Sequence, residues 1–252
     1  ARLTAEAFKT TTQFLPASQY EIRLVHDDRD NYPIITRHFT RNQLLKSVGY
    51  LRSKNREGYH VYFRPEAFHF VFVDDVCEDD IDAMMATGIR PVLVYQTSKG
   101  LCHAWVQLAN RPEQVTEEEA TAARKILAER YSGDLDATGK NQPGRLPGLR
   151  NVKSVYEDAY GGHPLVKIKR SCFAPIASNL LDEAKDRVRN SAPSSPSAPG
   201  GRVLNNTANY IDDDTPLEIY DHGRHVVTMS AKYDVGDIET AYARVLGEMK
   251  AS

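Results

Sequence analysis

A nearly continuous run of aromatic and branched residues, from Phe68 to Val73, stands out in the hydrophobic pattern of the chain. The run is too short for a buried helix of usual length and is typical of a central strand buried on both faces. Two carboxylates, Asp74 and Asp75, follow it directly. Because burying an ionised carboxylate is costly unless it is paired or metal-bound, these residues either mark where the strand reaches solvent or belong to a divalent-cation site.

Helices and hairpins alternate along the rest of the pattern. Apolar residues at helical spacing predict helices over 4–15, 40–54, 81–87 and 117–131. Alternating apolar and polar residues predict strands over 20–25, 32–39, 59–64, 90–95, 101–108 and 165–169. Since only a short segment with Pro65 separates the strand 59–64 from the run at 68–73, we predict that these two strands form a hairpin. The pattern therefore predicts an α+β fold with a mainly antiparallel sheet and flanking helices.

A segment rich in Ser, Pro and Gly surrounds residue 195 and is too polar and too poor in apolar residues to pack. We predict a flexible linker over 181–203, which separates a main domain, 1–180, from a small C-terminal helical region, 204–252. Within that region, helices are predicted near 223–232 and 238–249.

Composition narrows the class of protein. The 252 residues are 41% hydrophobic, as in an ordinary globular protein, and contain no run of 18 apolar residues. Neither a membrane span nor a signal peptide is expected, so a cytoplasmic location is predicted. The three cysteines are widely spaced, which argues against a disulfide framework or a thiolate zinc site. The net charge is −2, but the stretch from Lys140 to Arg170 holds seven basic and two acidic residues, a local patch that suits a nucleic acid.

The two aspartates could share one metal ion only if the strand bends or ends between them, because successive side chains on a strand point to opposite faces. A phosphoryl-transfer site also needs a third carboxylate. Asp134, next to Gly133 just after the helix 117–131, is the candidate, although spacing alone does not place it beside the strand.

Basic and polar side chains elsewhere could bind phosphates. Ser98 and Lys99 occupy a predicted turn and His103 the following strand, where they would suit a triphosphate; a core or surface role is the alternative for His103. The Gly- and Pro-rich loop 141–151 contains Arg145 and Arg150 and would let its backbone approach a ligand closely. A solvated basic face is the other explanation of this loop.

Together these motifs resemble the catalytic domain of RepB-type plasmid primases, members of the archaeo-eukaryotic primase superfamily, over about residues 20–169. The motifs that carry the resemblance are Val61–Pro65, Val71–Asp75, Gln96–Lys99 with Ala104–Val106, Tyr131–Asp134, and Gly144–Gly148 with Asn151 and Lys153.

The resemblance implies a role for each candidate residue. Asp74, Asp75 and Asp134 would be the catalytic residues and would bind Mg²⁺ or Mn²⁺ in a two-metal site. The nucleotide would be bound by Ser98, Lys99, His103, Arg145, Arg150 and Lys153. DNA would be bound by Arg64, Lys167 and Lys169.

The function implied is that of a DNA primase, a metal-dependent nucleotidyltransferase that starts strands on single-stranded DNA during replication of a plasmid or mobile element. Its partners would be the single-stranded template, nucleoside triphosphates and a replicative helicase or initiator, with no membrane and a monomeric state. Two alternatives stay open: a non-catalytic module that binds single-stranded DNA, and a metal-dependent nuclease that uses the same carboxylates.

Overall fold

The computed structural model describes residues 2–191, 217–221 and 224–229. The chain divides into two units, Ala1–Ser194 and Ser195–Ser252. In the first unit the elements are α1 (Arg2–Phe14), β1 (Tyr20–Val25), β2 (Ile35–Phe39), α2 (Arg41–Lys46), α3 (Val48–Arg56), β3 (His60–Pro65), β4 (Phe70–Val76), α4 (Glu78–Ala86), β5 (Leu93–Ser98), β6 (Leu101–Gln107), α5 (Glu117–Arg130), β7 (Gly144–Arg145), β8 (Lys167–Ser171) and α6 (Ser178–Ser191). The helix predicted over 40–54 is thus two helices, α2 and α3, which meet at Ser47.

The strands of the first unit form two antiparallel sheets of four strands each, in the orders β2-β1-β3-β7 and β4-β6-β5-β8. The predicted α+β fold is confirmed. The predicted hairpin of β3 and β4 is wrong, because these strands belong to different sheets. β3 already has β1 on one side and β7 on the other, so it has no free edge for β4, and the chain crosses to the second sheet after Pro65.

β4 is buried on both faces but lies at the edge of its sheet rather than at the centre. Phe70 and Phe72 pack into a core with the first sheet and helices α1, α2 and α3. Val71 and Val73 point the other way, into a core with α4, α5 and α6. The layers on both sides, rather than neighbouring strands, therefore account for the unbroken apolar run.

Helix α5 begins with a capping box in which the Thr116 hydroxyl accepts from the Glu119 amide at 3.2 Å and the Glu119 carboxylate accepts from the Thr116 amide at 2.8 Å. Its small side chains, including Ala120 and Ala123, pack in the core that also holds Leu180 and Ala184 of α6. Residues 181–191 are therefore helical, and the linker predicted from residue 181 cannot begin before the end of α6.

The described residues of the second unit form one antiparallel pair, β9 (Leu217–Asp221) with β10 (Arg224–Met229). The helix predicted near 223–232 is wrong in its described part, which is the strand β10. Val226, Val227 and Thr228 are β-branched, which favours a strand. The helix predicted near 238–249 and the linker residues 192–203 lie outside the described residues. Among the helices that are described, none is long and apolar enough to cross a membrane.

Candidate active site

A break in the ladder between β4 and β6 places Asp74 and Asp75 together. The pairing register shifts between Val73 and Val76, and Asp75 adopts a left-handed backbone conformation with φ of 56°. This irregularity interrupts the alternation of side chains along the strand. As a result, Asp74, Asp75 and His103 each offer a ligand atom, and these atoms lie within 4.8 Å of one another. The bend that the sequence required for a shared site is present.

Asp134 is brought to the same place by the turn that follows α5. Its backbone amide donates to the carbonyl of Asp74 at 3.0 Å. The approach depends on Gly133, because a Cβ atom there would lie 2.3 Å from Cγ2 of Val73 and 3.0 Å from the Asp74 carbonyl oxygen. The three predicted aspartates therefore lie at one end of β4, although the group of ligand atoms within 4.8 Å of one another does not include the Asp134 carboxylate. We call Asp74, Asp75 and Asp134 the acidic wall.

His103 is buried behind the acidic wall and is held on both sides. One ring nitrogen, Nε2, contacts the Asp74 carboxylate. The other, Nδ1, lies 3.2 Å from the Tyr95 hydroxyl, which accepts from the Trp105 indole at 3.1 Å. The ring also stacks on Phe72 at 5.4 Å between centroids. This network fixes the imidazole, and with it the Asp74 carboxylate, before any ligand arrives.

The electrostatics of the two adjacent aspartates differ. Burial raises the pKa of Asp74, but the charge of His103 and the hydrogen bonds from His103 and the Asp75 amide outweigh it, so the net pKa is lowered. Asp75 reaches solvent, yet loss of hydration and then the charge of Asp74 raise its pKa. The negative charge concentrated here would be stabilised by a cation.

Arg145 faces the acidic wall from the first sheet. It is 6% exposed, and its guanidinium lies over the ring of Tyr62 at 5.0 Å. Its Nη1 donates to Nδ1 of His60 at 3.2 Å, and Nε2 of His60 lies 2.8 Å from Oδ1 of Asp27. Because an arginine only donates, His60 is neutral here with its proton on Nε2. Burial lowers the pKa of His60, which favours that neutral form. We call Arg145 and Lys153 the basic wall.

Between the two walls lies a polar cavity of about 280 Å³. Of the predicted site residues it brings together Asp74, Asp75, Asp134, His103, Arg145 and Lys153. The residues that line it without having been assigned a role from the sequence include Tyr62, Thr97, Asp136, Gln142, Asn151 and Tyr156. Asp136 could have been found from sequence, since it is acidic and follows Asp134 in the same turn. Its amide donates to Oδ1 of Asp134 at 2.9 Å.

The other predicted residues do not line this cavity. Ser98 is buried beneath the β5–β6 turn, and Lys99 is exposed at its tip. Arg150 is exposed, and its guanidinium donates to the carbonyl of His163. Arg64 is held by the carboxylate of Glu21 at 2.6 Å.

Lys167 and Lys169 are exposed on β8, an edge strand. Their roles, like the roles of all the predicted site residues, remain predictions.

The donor set suits a hard divalent cation. Carboxylate oxygens from Asp74 and Asp75 are the ligands that Mg²⁺ and Mn²⁺ prefer, and Asp134 adds a third carboxylate to the lining of the cavity. The nearby imidazole of His103 is already engaged by Asp74 and Tyr95. The residues present therefore fit a metal bound mainly through oxygen.

Comparisons with known proteins identify the family of this chain. The family model of the RepB DNA-primase N-terminal domain matches residues 9–181. The chain is 31% identical over 141 residues to Mobilization protein A of Escherichia coli, covering 55% of this chain and 20% of that protein. It is 23% identical over 190 residues to a DNA primase of Acidithiobacillus ferrooxidans, and the match covers 73% of this chain and 53% of that protein. The chain thus spans about half or less of the length of these curated relatives.

A solved structure extends the likeness to three dimensions. The catalytic domain of primase RepB′, crystallised in complex with initiator DNA, superposes with a TM-score of 0.66 at 25% identity and covers 74% of this chain and 96% of that one. The resemblance inferred from the sequence motifs is confirmed. The chain belongs to the family of RepB DNA-primase N-terminal domains.

Proposed function

We propose that this protein is a DNA primase that starts new strands on single-stranded DNA during replication of a plasmid or mobile element. The observation that carries the proposal is that three aspartates, from β4 and from the turn after α5, line one polar cavity together with Arg145. Family membership supports the same activity. A site of this kind fits nucleotidyl transfer, in which catalysis consists mainly of positioning and charge stabilisation.

Each wall has its own task. Asp74, Asp75 and Asp134 would hold Mg²⁺ or Mn²⁺, in a two-metal arrangement. When bound, such ions activate the attacking 3′-hydroxyl and offset the charge of the departing pyrophosphate. His103 orients Asp74. Arg145 and Lys153 bind phosphates of the incoming nucleotide, Arg145 from a fixed position and Lys153 from an exposed, adaptable one.

The partners follow from this chemistry. The substrates are nucleoside triphosphates and a single-stranded DNA template, and the relative crystallised with initiator DNA supports binding of DNA by this fold. Ser98, Lys99 and Arg150 remain candidates for the nucleotide, and Arg64, Lys167 and Lys169 for the strand, all outside the cavity. We propose that the protein acts in the cytoplasm with a replicative helicase or initiator, since template and nucleotides are available there.

The test is synthesis of labelled product from nucleoside triphosphates on single-stranded DNA, with Mg²⁺ or Mn²⁺, by the native chain and by Asp134→Ala. Asp82→Ala is the matched control, because this exposed aspartate of α4 lies outside the cavity. We expect short products from the native chain and the control, and none from Asp134→Ala.

Other outcomes would point to the alternatives. Salt-sensitive DNA binding without product, unaffected by Asp134→Ala, would favour a non-catalytic binding module. Degradation of the DNA with metal alone, in the absence of nucleotides, would favour a nuclease.

A further inference from the structure

A second, smaller recess opens beside the active-site cavity. Four polar residues line it: Arg64, Arg124, Lys140 and Gln142. The lining also includes aromatic residues, among them Phe72 and Trp105. Gln142 also lines the active-site cavity, so the two spaces are neighbours. We call these four polar residues and the space between them the arginine recess.

Arg124 carries a buried charge without an ionic partner. It is 4% exposed, and its Nη2 donates to the Thr121 hydroxyl at 3.1 Å and to the Lys140 carbonyl at 2.9 Å. Its Nε has no hydrogen-bond partner among the residues that the structure describes, and no carboxylate among them forms an ion pair with it. Burial, and then the charge of Arg64, lower the pKa of Arg124 to about 10, so the group is still charged at neutral pH.

The basic charges around the recess are only partly compensated by carboxylates. Arg64 also has an Nε without a partner within the described chain, although its Nη2 is paired with Glu21. The Lys140 ammonium is largely exposed and lies 4.0 Å from Glu118. Glu21 and Glu118 offset the charges of Arg64 and Lys140, but the buried guanidinium of Arg124 has no ion-pair partner among the described residues, and such a charge is unfavourable unless an anion joins it.

The size of the recess limits what can enter. Its interior volume is about 10 Å³, which is room for roughly one water-sized group. A single phosphoryl oxygen is of about this size, so the rest of a phosphate group would have to stay outside the recess. Guanidinium and ammonium groups are the usual ligands of phosphate oxygens.

We propose that the arginine recess is a phosphate-binding subsite, separate from the acidic wall, in which Arg124 and Arg64 receive one oxygen of a phosphate and Lys140 contacts the others. The phosphate belongs either to a nucleoside triphosphate or to the sugar-phosphate backbone of a DNA strand. The proposal rests on the proposed function only for the identity of these two sources.

The test compares Arg124→Met and Lys140→Ala with the control Lys125→Ala, which removes one exposed positive charge from α5 outside the recess. In one arm, the affinity of each protein for ATP is measured by titration, with adenosine as the phosphate-free reference. The other measures the affinity for a single-stranded oligothymidylate at increasing salt without nucleotides. Both arms measure binding without synthesis, so a chain that behaves as expected here but makes no primer would overturn the proposed function and leave the subsite intact.

The two sources give different results. If the phosphate is that of a nucleotide, both recess variants weaken ATP about tenfold, the loss of one charge-assisted contact, and adenosine is unaffected. If it belongs to a DNA strand, the slope of log affinity against log salt becomes shallower by about 0.7 in both variants.

A purely structural role for Arg124 predicts another pattern. Arg124→Met would then lower the melting temperature, while Lys140→Ala and Lys125→Ala would have the same ATP affinity and the same salt dependence of oligothymidylate binding. That result would overturn the proposal. A subsite predicts that Lys140→Ala changes one of the two arms. The melting temperature of Arg124→Met does not decide by itself, because losing the hydrogen bonds to Thr121 and Lys140 and removing a buried charge have opposite effects on stability. If Arg124→Met fails to fold, Lys140→Ala alone decides, since Lys140 is exposed.

Discussion

The acidic wall of the active-site cavity is shaped by its backbone, whereas Arg145 of the basic wall is held by side chains. Asp75 has a φ of 56°, β4 has a register shift at the aspartates, and Asp134 approaches through Gly133. Arg145, in contrast, leaves a regular pair of strands opposite Tyr62 and is fixed by its contacts with Tyr62 and His60. The acidic wall and Arg145 therefore lie on opposite sides of one cavity and are held in place by different means.

This difference determines how each wall can be disturbed. The acidic wall should fail when a substitution changes the space available to the backbone, even if no charge is altered. Substitutions that alter the backbone of the acidic wall should leave the position of Arg145 unchanged. That position should instead be disturbed by loss of its hydrogen-bond acceptor, His60, and by acidification. Four substitutions test this contrast, and we take them from the largest expected effect to the smallest.

The largest effect is expected from the charge of the acidic wall itself. Asp74→Asn keeps the shape of the side chain but removes a charge that we propose binds metal, so primer synthesis should fall about 10³-fold, or about 4 kcal/mol of transition-state stabilisation. Asp136→Asn, a change of the same kind in the same cavity, should cost much less. Equal losses in the two variants would show that only the total negative charge matters.

The second test alters the backbone without altering charge. In Gly133→Ala the new Cβ would lie 2.3 Å from Val73 Cγ2 and 3.0 Å from the Asp74 carbonyl oxygen, so either the turn moves or Val73 is displaced. We expect a loss of about 2 kcal/mol in the free energy of unfolding, measured by urea denaturation, and a large loss of primer synthesis.

Gly139→Ala provides the matched control, because its new Cβ would have only Gln142 Oε1 nearby, at 3.9 Å. This variant should keep native stability and activity. If Gly133→Ala were equally well tolerated, the close approach of the turn to β4 would not be what positions Asp134.

The acidic wall was also the part of the site best predicted from sequence. The apolar run before Asp74 and the two carboxylates are adjacent in the chain, so a local pattern was enough to find them. Asp134 was a candidate because it follows a helix, but its position beside β4 depends on how α5 packs on the second sheet. That packing is a long-range property, and only the family resemblance linked the three residues.

The basic wall was less accessible to sequence reasoning. Arg145 and Lys153 stand in a loop with Arg150, and no local signal shows that Arg150 turns away to the carbonyl of His163. The role of His60 as an acceptor was not foreseen either, since it is 85 residues from Arg145. The hairpin of β3 and β4 was predicted wrongly for the same reason. Strand pairing depends on which strand edges are free in the folded protein, and the local sequence pattern does not show this.

The third test removes the acceptor that holds Arg145. His60→Phe keeps a ring in the buried site but leaves the Nη1 of Arg145 without its partner, so we expect KM for the nucleotide to rise about tenfold with a smaller change in kcat. His60→Asn, whose amide oxygen can take the place of Nδ1, should restore most of the loss. His69→Phe, which replaces another buried histidine outside the cavity, should leave KM unchanged.

Acidification should mimic the third test. The pKa of His60 is lowered by burial in the folded chain, so the unfolded chain binds the proton more readily. The stability from neutral His60 is fully present above its unfolded pKa of about 6.5 and is lost as the pH falls through the lower folded value. In that range KM of the native protein should rise, and KM of His60→Phe should change less. The same pH profile for both would exclude His60 as the titrating group.

The smallest effect on stability is expected at the strained residue of the acidic wall. A left-handed conformation costs most residues about 1 kcal/mol and costs glycine little, so Asp75→Gly should raise the free energy of unfolding by up to about 1 kcal/mol, less the entropy that a glycine adds to the unfolded chain. Removing the repulsion from Asp74 acts in the same direction. Asp75→Asn relieves only the repulsion, and Asp75→Ala relieves the repulsion but increases the strain.

Denaturation should therefore rank the variants Gly, Asn and Ala in decreasing stability, while all three lose primer synthesis. A stable Ala variant would mean that the backbone at Asp75 is not strained, and the contrast between the walls would then rest on Gly133 alone.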